Sequence, residues 1–255
     1  MSETPRIELS DVHKSFGAKH VLRGVDLKVA PGESVVIVGG SGTGKSVTLK
    51  CILGLLKPER GSIRVDGEEI VGLSGSAREA VLHRFGMLFQ FAALFDSMTV
   101  WENVAFGLVQ GGNMNRAEAR DIALAKLALV GLGPEIADQD PAQLSGGMRK
   151  RVGLARAIAT EPGIIFFDEP TTGLDPLMGD LINNLIVDCV RETGASTVTI
   201  THDMSSARMI GDRVAMLYDG RIIWDGPATE IDDSGNPYLD QFIHGREEGP
   251  FRLAV

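Results

Sequence analysis

The stretch "VVIVGGSGTGKS" (residues 35–46) joins an apolar, strand-like run to a glycine-rich loop. Its residues 39–46 fit the pattern G-x-x-x-x-G-K-[ST], and they stand where that pattern belongs, between a strand and a helix. Glycines let backbone N–H groups approach phosphate oxygens, and the N terminus of the following helix adds partial positive charge. The stretch therefore predicts a phosphate-binding loop in an α/β framework.

Individual residues of this loop have distinct expected roles. Lys45 can reach the β- and γ-phosphates of a nucleotide, and the hydroxyl of Ser46 can ligate Mg²⁺. The alternative is a glycine-rich turn that binds nothing, which the flanking strand and helix make a poor explanation. The predicted nucleotide-binding residues are Gly39, Gly40, Ser41, Gly42, Thr43, Gly44, Lys45 and Ser46.

Composition limits the classes of protein to which the chain can belong. Its 255 residues are enough for one large domain or for a domain with an inserted subdomain. A net charge of -9 argues against broad nucleic-acid binding, so no nucleic-acid partner is expected.

The two cysteines, Cys51 and Cys189, show no metal spacing and indicate reduced core thiols. The start shows no signal peptide, and the longest apolar runs are too short to span a bilayer, which favours a cytosolic chain.

Periodicity outside the loop predicts alternating strands and helices. Strand-like alternation occurs around Gly17, and hairpin turns are expected at residues 66–67 and 219–220, both Asp-Gly. A helix is expected over residues 46–56. From about residue 97 to 160 the pattern becomes helical, which indicates a helical insert in an α/β fold.

A second chemical signal lies in "GIIFFDEP" (residues 163–170), a buried strand that ends in two acids. Asp168 is placed to hold a metal ion, and Glu169 is the natural base for a water molecule that attacks the γ-phosphate. The alternative is that the two acids only end the strand and have no catalytic role, which is common for Asp-Glu alone. The phosphate-binding loop in the same chain makes this alternative a poor explanation.

The segment "LSGGM" (residues 144–148) resembles the signature of ATP-binding-cassette (ABC) ATPases, and other cassette motifs occur in the family's order. Phe16 stands at the position of the adenine-stacking aromatic, Gln90 at the glutamine loop, Asp175 at the D-loop and His202 at the switch histidine. The resemblance covers about residues 6–230. It implies an ABC-type P-loop ATPase with a RecA-like core, an antiparallel β subdomain and an inserted α-helical subdomain, all within residues 1–244.

The resemblance also implies a head-to-tail dimer, for which a homodimer is the simplest arrangement. ATP bound to one subunit's loop would meet Ser145, Gly146 and Gly147 of the other, with Asp175 nearby. The implied catalytic residues are Glu169, His202 and Gln90, and the implied Mg²⁺ ligands are Ser46, Gln90 and Asp168. Phe16 would stack on adenine.

Two features of the signature segment differ from the usual pattern. Met148 stands where the family usually has Gln, and it cannot donate a hydrogen bond. The basic run Arg149-Lys150-Arg151 is unfavourable beside a helix N terminus. Two interpretations of the run are open at this point: a solvated helical face, or attraction to phosphate or an acidic partner.

The cargo is suggested by a finer resemblance. "GMLFQFAALFDSMTVWENVAFGL" (residues 86–108), "LSGGM" and "QFIHGREEGPFR" (residues 241–252) are similar to the MlaF-type phospholipid-transport ATPases of bacteria. This implies a MlaE-like permease, a MlaB-like STAS-domain protein, an MCE-class lipid-binding protein, and a peripheral position at the cytoplasmic face of the inner membrane. The tail, residues 245–255, is expected to dock on a neighbouring subunit.

Three alternatives remain open on the sequence alone. The chain could serve another ABC transporter, for a small polar solute or for lipoprotein release. It could be a soluble ABC ATPase of cofactor assembly. A nucleotide-binding scaffold without hydrolysis is the third, although Lys45, Asp168, Glu169 and His202 are all present.

Overall fold

A computed structural model of the protein describes residues 4–112 and 114–250. The chain divides into two compact units, one of residues up to Arg78 and from Val198 onward, the other Glu79–Thr197. The strands, in chain order, are β1 (Ile7–Phe16), β2 (Lys19–Val29), β3 (Ser34–Val38), β4 (Arg60–Val65), β5 (Glu68–Glu69), β6 (Phe85–Leu88), β7 (Ile164–Asp168), β8 (Ser196–Ile200), β9 (Arg213–Tyr218) and β10 (Arg221–Pro227). The helices are α1 (Lys45–Ile52), α2 (Gly75–Leu82), α3 (Val100–Gly112), α4 (Arg116–Leu129), α5 (Gly146–Ile158), α6 (Pro176–Thr193), α7 (Met204–Ile210) and α8 (Pro237–His244).

The first unit contains an antiparallel sheet in the order β2-β1-β4-β5. Ile7 pairs with Val29 on one side and with Val65 on the other. Buried Ile7, Leu9 and Val12 line one face of β1, so the apolar alternation of the sequence becomes the core face of this sheet.

The same unit contains parallel strands that carry the phosphate-loop motif. The order here is β10-β9-β3-β8, with β3 parallel to β9 and Val36 opposite Val214. All five residues of β3 are buried, as is typical of a strand covered on both faces. Both predicted Asp-Gly turns are confirmed, because residues 66–67 and 219–220 all have positive φ, the conformation of a type I′ hairpin.

The second unit combines strands in the order β8-β7-β6 with a group of helices, and β8 contributes residues to both units. Strands β6 and β7 are parallel, with Phe85 opposite Ile164. Helices α3, α4 and α5 pack on one another, and Val104, Leu127 and Leu154 are fully buried between them. The predicted helical character of this stretch is therefore confirmed for α3–α5.

Some sequence-based boundaries and elements differ from the structure. Helix α1 ends at Ile52 rather than near residue 56, because Gly54 adopts a left-handed backbone (φ 65°). The apolar run that begins at Phe85 forms strand β6, which the sequence did not distinguish from a loop. Helix α7 was also missed. The predicted docking of the tail falls partly on residues 251–255, which lie outside the described residues.

Two further observations concern the whole described chain. Cys51 and Cys189 are buried, as predicted, and burial raises the pKa of each thiol to about 11. Within residues 4–112 and 114–250, no helix has the length and apolar character needed to cross a membrane.

Candidate functional site

The phosphate loop connects buried β3 to α1 in the first unit, and it holds all eight predicted residues 39–46 together. Its shape depends on glycine at two positions with left-handed φ, Gly39 (150°) and Gly44 (113°). A Cβ on Gly39 would lie 2.3 Å from the carbonyl oxygen of Leu217, and one on Gly44 would lie 2.8 Å from Leu22. Other residues would therefore strain or displace the loop.

Lys45 occupies the interior of this loop. Its Nζ donates to the carbonyl oxygens of Gly39 (2.7 Å) and Gly40 (3.0 Å), and the side chain is buried. Ser41 and Gly42, at the tip of the loop, are exposed, as is Ser46 in the first turn of α1. A lysine inside a ring of main-chain groups, with exposed residues above it, fits the requirements of a nucleotide's phosphates.

Phe16 and His202 belong to the same unit as the phosphate loop. Phe16 ends β1 with about half of its surface exposed, and Lys14 Nζ lies 5.4 Å from the centre of its ring. An exposed aromatic face is what stacking on a base requires. His202 follows β8 and is exposed. Asp203 fixes the chain directly after it, because its carboxylate caps α7 by accepting from Ser205 N (2.9 Å).

The two acids lie in the second unit, at the end of β7. Asp168 is the last residue of the strand, and Glu169 follows with a positive φ of 49°, which is rare for a residue other than glycine. The Glu169 carboxylate accepts from the hydroxyl of Thr172 (3.0 Å), while its carbonyl oxygen accepts from the Thr172 amide (3.3 Å). The strained backbone is thus held in place by the following turn.

The signature segment begins helix α5 in the same second unit. Ser145 is the N-cap residue, and its Oγ accepts from Met148 N (3.2 Å). Gly146 is exposed, whereas Gly147 is buried against Met178, whose sulfur would lie 2.8 Å from an added Cβ. Asp175 caps α6 in the same manner, accepting from Met178 N (3.0 Å).

Of the two interpretations of the basic run that the sequence left open, a solvated helical face does not describe the structure, because Lys150 is buried and the two arginines are half-buried. Arg149 donates to the carbonyl oxygen of Leu144, and Arg151 donates to that of Gly131 (3.0 Å). Lys150 is only 4% exposed, and its Nζ donates to two carbonyl oxygens far apart in the chain. The run therefore ties α5 to neighbouring segments of its own unit.

The acceptors of Lys150 are the carbonyl oxygens of Gln90 and Glu169, the latter at 3.1 Å. The structure thus links two residues that the sequence placed in the site, through one that it did not. The sequence carried a signal for the burial of Lys150, though not for its partners, since position 150 shares a helical face with residues 153, 154 and 157, all buried. Burial lowers the pKa of Lys150 to about 8, against the opposing attraction of Asp168 and Glu169.

An exposed apolar groove in the second unit is lined in part by residues that precede and follow Gln90 in the sequence. It has a volume of about 530 Å³ and is lined mainly by apolar side chains, among them Leu82, Phe89 and Phe95. Phe91, just beyond Gln90, is 79% exposed. A concentration of exposed aromatic side chains of this kind is unusual on a surface that contacts only water.

Comparisons with known proteins agree with this arrangement. Residues 22–172 match the family described as ABC transporter. The chain is 42% identical over 248 residues (97% of this chain, 69% of the other) to the probable ribonucleotide transport ATP-binding protein mkl of Mycobacterium tuberculosis. It is 41% identical over 262 residues (96% and 75%) to the chloroplastic protein TRIGALACTOSYLDIACYLGLYCEROL 3 of Arabidopsis thaliana.

Similarity to solved structures extends this agreement to the fold. The ATP-binding cassette MJ0796, in a dimeric post-hydrolysis state with ADP and Pi, superposes with a TM-score of 0.79 at 34% identity, covering 87% of this chain and 98% of the other. The predicted ABC-type α/β fold is thereby confirmed. With its phosphate loop, its acids after β7 and its signature helix, the chain belongs to the ABC transporter family as an ATP-hydrolysing cassette.

Proposed function

We propose that this cassette energises a transporter that moves phospholipid across or from a bacterial inner membrane, in the manner of the MlaF-type ATPases. ATP would close a homodimer around two nucleotides, and closure would be passed to a MlaE-like permease. The observation that carries the transport part is the apolar groove together with exposed Phe91, which lies between the lining residues Phe89 and Ala93 in the sequence. Helices of membrane proteins dock through apolar and aromatic surfaces of this kind.

The same proposal assigns the chemistry to residues already described. Lys45 and the loop amides bind the phosphates, and Phe16 stacks on adenine. Ser46, Gln90 and Asp168 supply oxygen ligands of the type that Mg²⁺ prefers. Glu169 activates the attacking water and His202 contacts the γ-phosphate.

The signature segment would act on the ATP of the other subunit. Ser145, Gly146 and Gly147 stand at the N terminus of α5, where helix dipole and main-chain donors favour an anion. Asp175, at the N terminus of α6, belongs to the same half-site. The dimeric state of the similar cassette MJ0796 supports this arrangement.

The lipid part of the proposal has narrower support. The similar Arabidopsis protein is named after a glycolipid, whereas the similar mycobacterial protein is named for ribonucleotide transport. The alternative cargo is therefore a small polar solute. MlaB-like and MCE-class proteins would complete a lipid transporter, and the ATPase would be peripheral at the cytoplasmic face through its permease.

Purification of the complex from detergent-solubilised membranes tests the assembly and the cargo. We expect a permease to be recovered with the chain, and the complex in vesicles to move labelled phospholipid when ATP is added. Phe91→Glu should abolish recovery of the permease, whereas Leu129→Glu, at an exposed leucine elsewhere in the second unit, should not. ATP-dependent uptake of ribonucleotides without lipid movement would favour the alternative.

A separate measurement tests the chemistry. Glu169→Gln should keep ATP binding, lose hydrolysis and accumulate as a nucleotide-bound dimer on gel filtration. Hydrolysis by this variant at the parent rate would rule out Glu169 as the base.

A further inference from the structure

Lys150 connects two parts of the proposed catalytic machinery. It projects from the second turn of α5, and its buried ammonium group donates to the carbonyl oxygens of Gln90 and Glu169. These residues are 60 and 19 positions away in the sequence. A buried charge is tolerated when such hydrogen bonds replace water, and an ammonium group has three donors to distribute.

The Glu169 end of this connection supports a strained conformation. A left-handed backbone at a residue with a Cβ persists only when the surroundings hold it. The Glu169 carbonyl is held by Lys150 Nζ (3.1 Å) and by the Thr172 amide (3.3 Å). Because the direction of the carbonyl sets the direction of the side chain, the lysine helps to orient the carboxylate of Glu169.

The Gln90 end supports a similarly strained loop. Ala92 and Ala93, just after Gln90, both have positive φ (60° and 47°). Their carbonyl oxygens accept from Arg156, at 2.6 and 2.8 Å. Gly153 lies between Lys150 and Arg156 along α5, and an added Cβ there would come within 2.8 Å of Leu88. Helix α5 therefore contacts the chain both before Gln90, at Leu88, and after it, at Ala92 and Ala93.

We infer that Lys150 is a positioning residue through which helix α5 sets the places of Gln90 and Glu169. Helix α5 presents Ser145 and Gly147 at its N terminus. A movement of this helix would therefore also move Gln90 and Glu169. This inference rests on the proposed roles of Gln90 and Glu169. It explains why the middle residue of the basic run is buried rather than solvated.

Steady-state hydrolysis by the purified chain tests the inference with Lys150→Met. We expect kcat to fall about tenfold or more, with the KM for ATP within about twofold of the parent, because the lysine orients the base without binding nucleotide. Lys126→Met is the matched control, since Lys126 is a mostly buried lysine of the same unit that pairs with Glu161. It should leave kcat unchanged.

A double variant separates positioning from a general structural effect. If Lys150 acts in part through Glu169, then Lys150→Met should lower the residual kcat of Glu169→Ala by a smaller factor than it lowers the kcat of the parent. A further loss as large as in the parent would overturn the inference, as would an unchanged kcat in Lys150→Met. Should Lys150→Met melt below the assay temperature, both proteins are assayed below its melting temperature, and a kcat equal to that of the parent there would equally overturn the inference.

Failure of the proposed base and failure of the positioning role give different experimental results. Glu169→Ala is itself expected to lose hydrolysis, and parent-like hydrolysis by this variant would reject the proposed base. Loss of hydrolysis in Glu169→Ala together with parent-like kcat in Lys150→Met would reject only the positioning role.

Discussion

The phosphate loop (residues 39–46) and the signature segment (residues 144–151) both place glycines and a lysine around the start of a helix. In the first, glycines serve backbone conformation, as the positive φ of Gly39 and Gly44 indicates. In the second, Gly147 has an ordinary backbone and instead leaves space for Met178. Glycine is thus required for backbone conformation in the phosphate loop and for space beside a neighbouring side chain in the signature segment.

The two lysines differ in the same sense. Lys45 Nζ donates to the carbonyl oxygens of Gly39 and Gly40 in its own loop, and a bound nucleotide would offer phosphate oxygens in place of these acceptors. Lys150 contacts carbonyls of distant segments and has no exposed route to a ligand at 4% exposure. Under the proposed function, Lys45 therefore binds the nucleotide, whereas Lys150 holds segments of the protein itself in place.

The largest expected effect concerns the lysine of the phosphate loop. Lys45→Ala should lower ATP hydrolysis by about 10³-fold, since it removes a charged donor from the transferring phosphoryl group. Its melting temperature should change little, because the bonds lost are local to the loop. Steady-state hydrolysis and thermal melting measure both. Lys50→Ala, at an exposed lysine of the same helix, should retain parent activity.

The contrast between the glycines predicts unequal losses of stability. Gly39→Ala should lower the free energy of unfolding by about 3 kcal/mol, because its Cβ would meet a backbone oxygen that cannot move aside. Gly147→Ala should cost about 1 kcal/mol, because its Cβ meets the flexible end of Met178. Urea unfolding provides the measurement.

Removal of the Met178 side chain tests the stability cost expected for Gly147→Ala. Met178→Ala should restore part of the stability lost in Gly147→Ala, whereas no side-chain replacement should rescue Gly39→Ala. Equal costs for the two glycine variants would contradict the distinction between conformation and space.

Much of this contrast could be predicted from the sequence, but not all of it. The phosphate loop was predictable because every determinant, from β3 to Lys45, is contiguous in the chain. The cap at Ser145 follows from local sequence in the same way. The role of Lys150 was not predictable, because its acceptors are main-chain atoms of Gln90 and Glu169, which carry no sequence signature. Strand β6 was missed for a related reason: pairing with β7, not its own four residues, makes it a strand.

Lys150 also predicts a pH dependence of stability. Its pKa is about 8 in the folded protein and 10.5 ordinarily, so between these values the unfolded chain binds more protons. Stability from this group therefore rises as pH increases from 8 to 10.5, by about 3 kcal/mol, and below pH 8 the full cost of burying the charge remains. Urea unfolding at several pH values should show this rise in the parent relative to Lys150→Met. A Lys126→Met variant should instead follow the parent, and parallel curves for Lys150→Met and parent would contradict the buried charge.

The smallest effect concerns how the two helices begin. Helix α5 has a side-chain cap, because Ser145 Oγ accepts from Met148 N, whereas the N-cap residue of α1 is Gly44, which has no side chain to cap the helix. Ser145→Ala should therefore lower the free energy of unfolding by about 1 kcal/mol, a typical cost of losing a serine cap. Ser46→Ala, at an exposed serine in the first turn of α1, should change the free energy of unfolding by less than about 0.5 kcal/mol.

Equal losses of the free energy of unfolding in the two variants, measured by urea unfolding, would mean that both loops are stabilised alike. A loss confined to Ser145→Ala would support the view that the phosphate loop leaves its helix donors available for a nucleotide, while the signature segment uses part of its own to hold the helix.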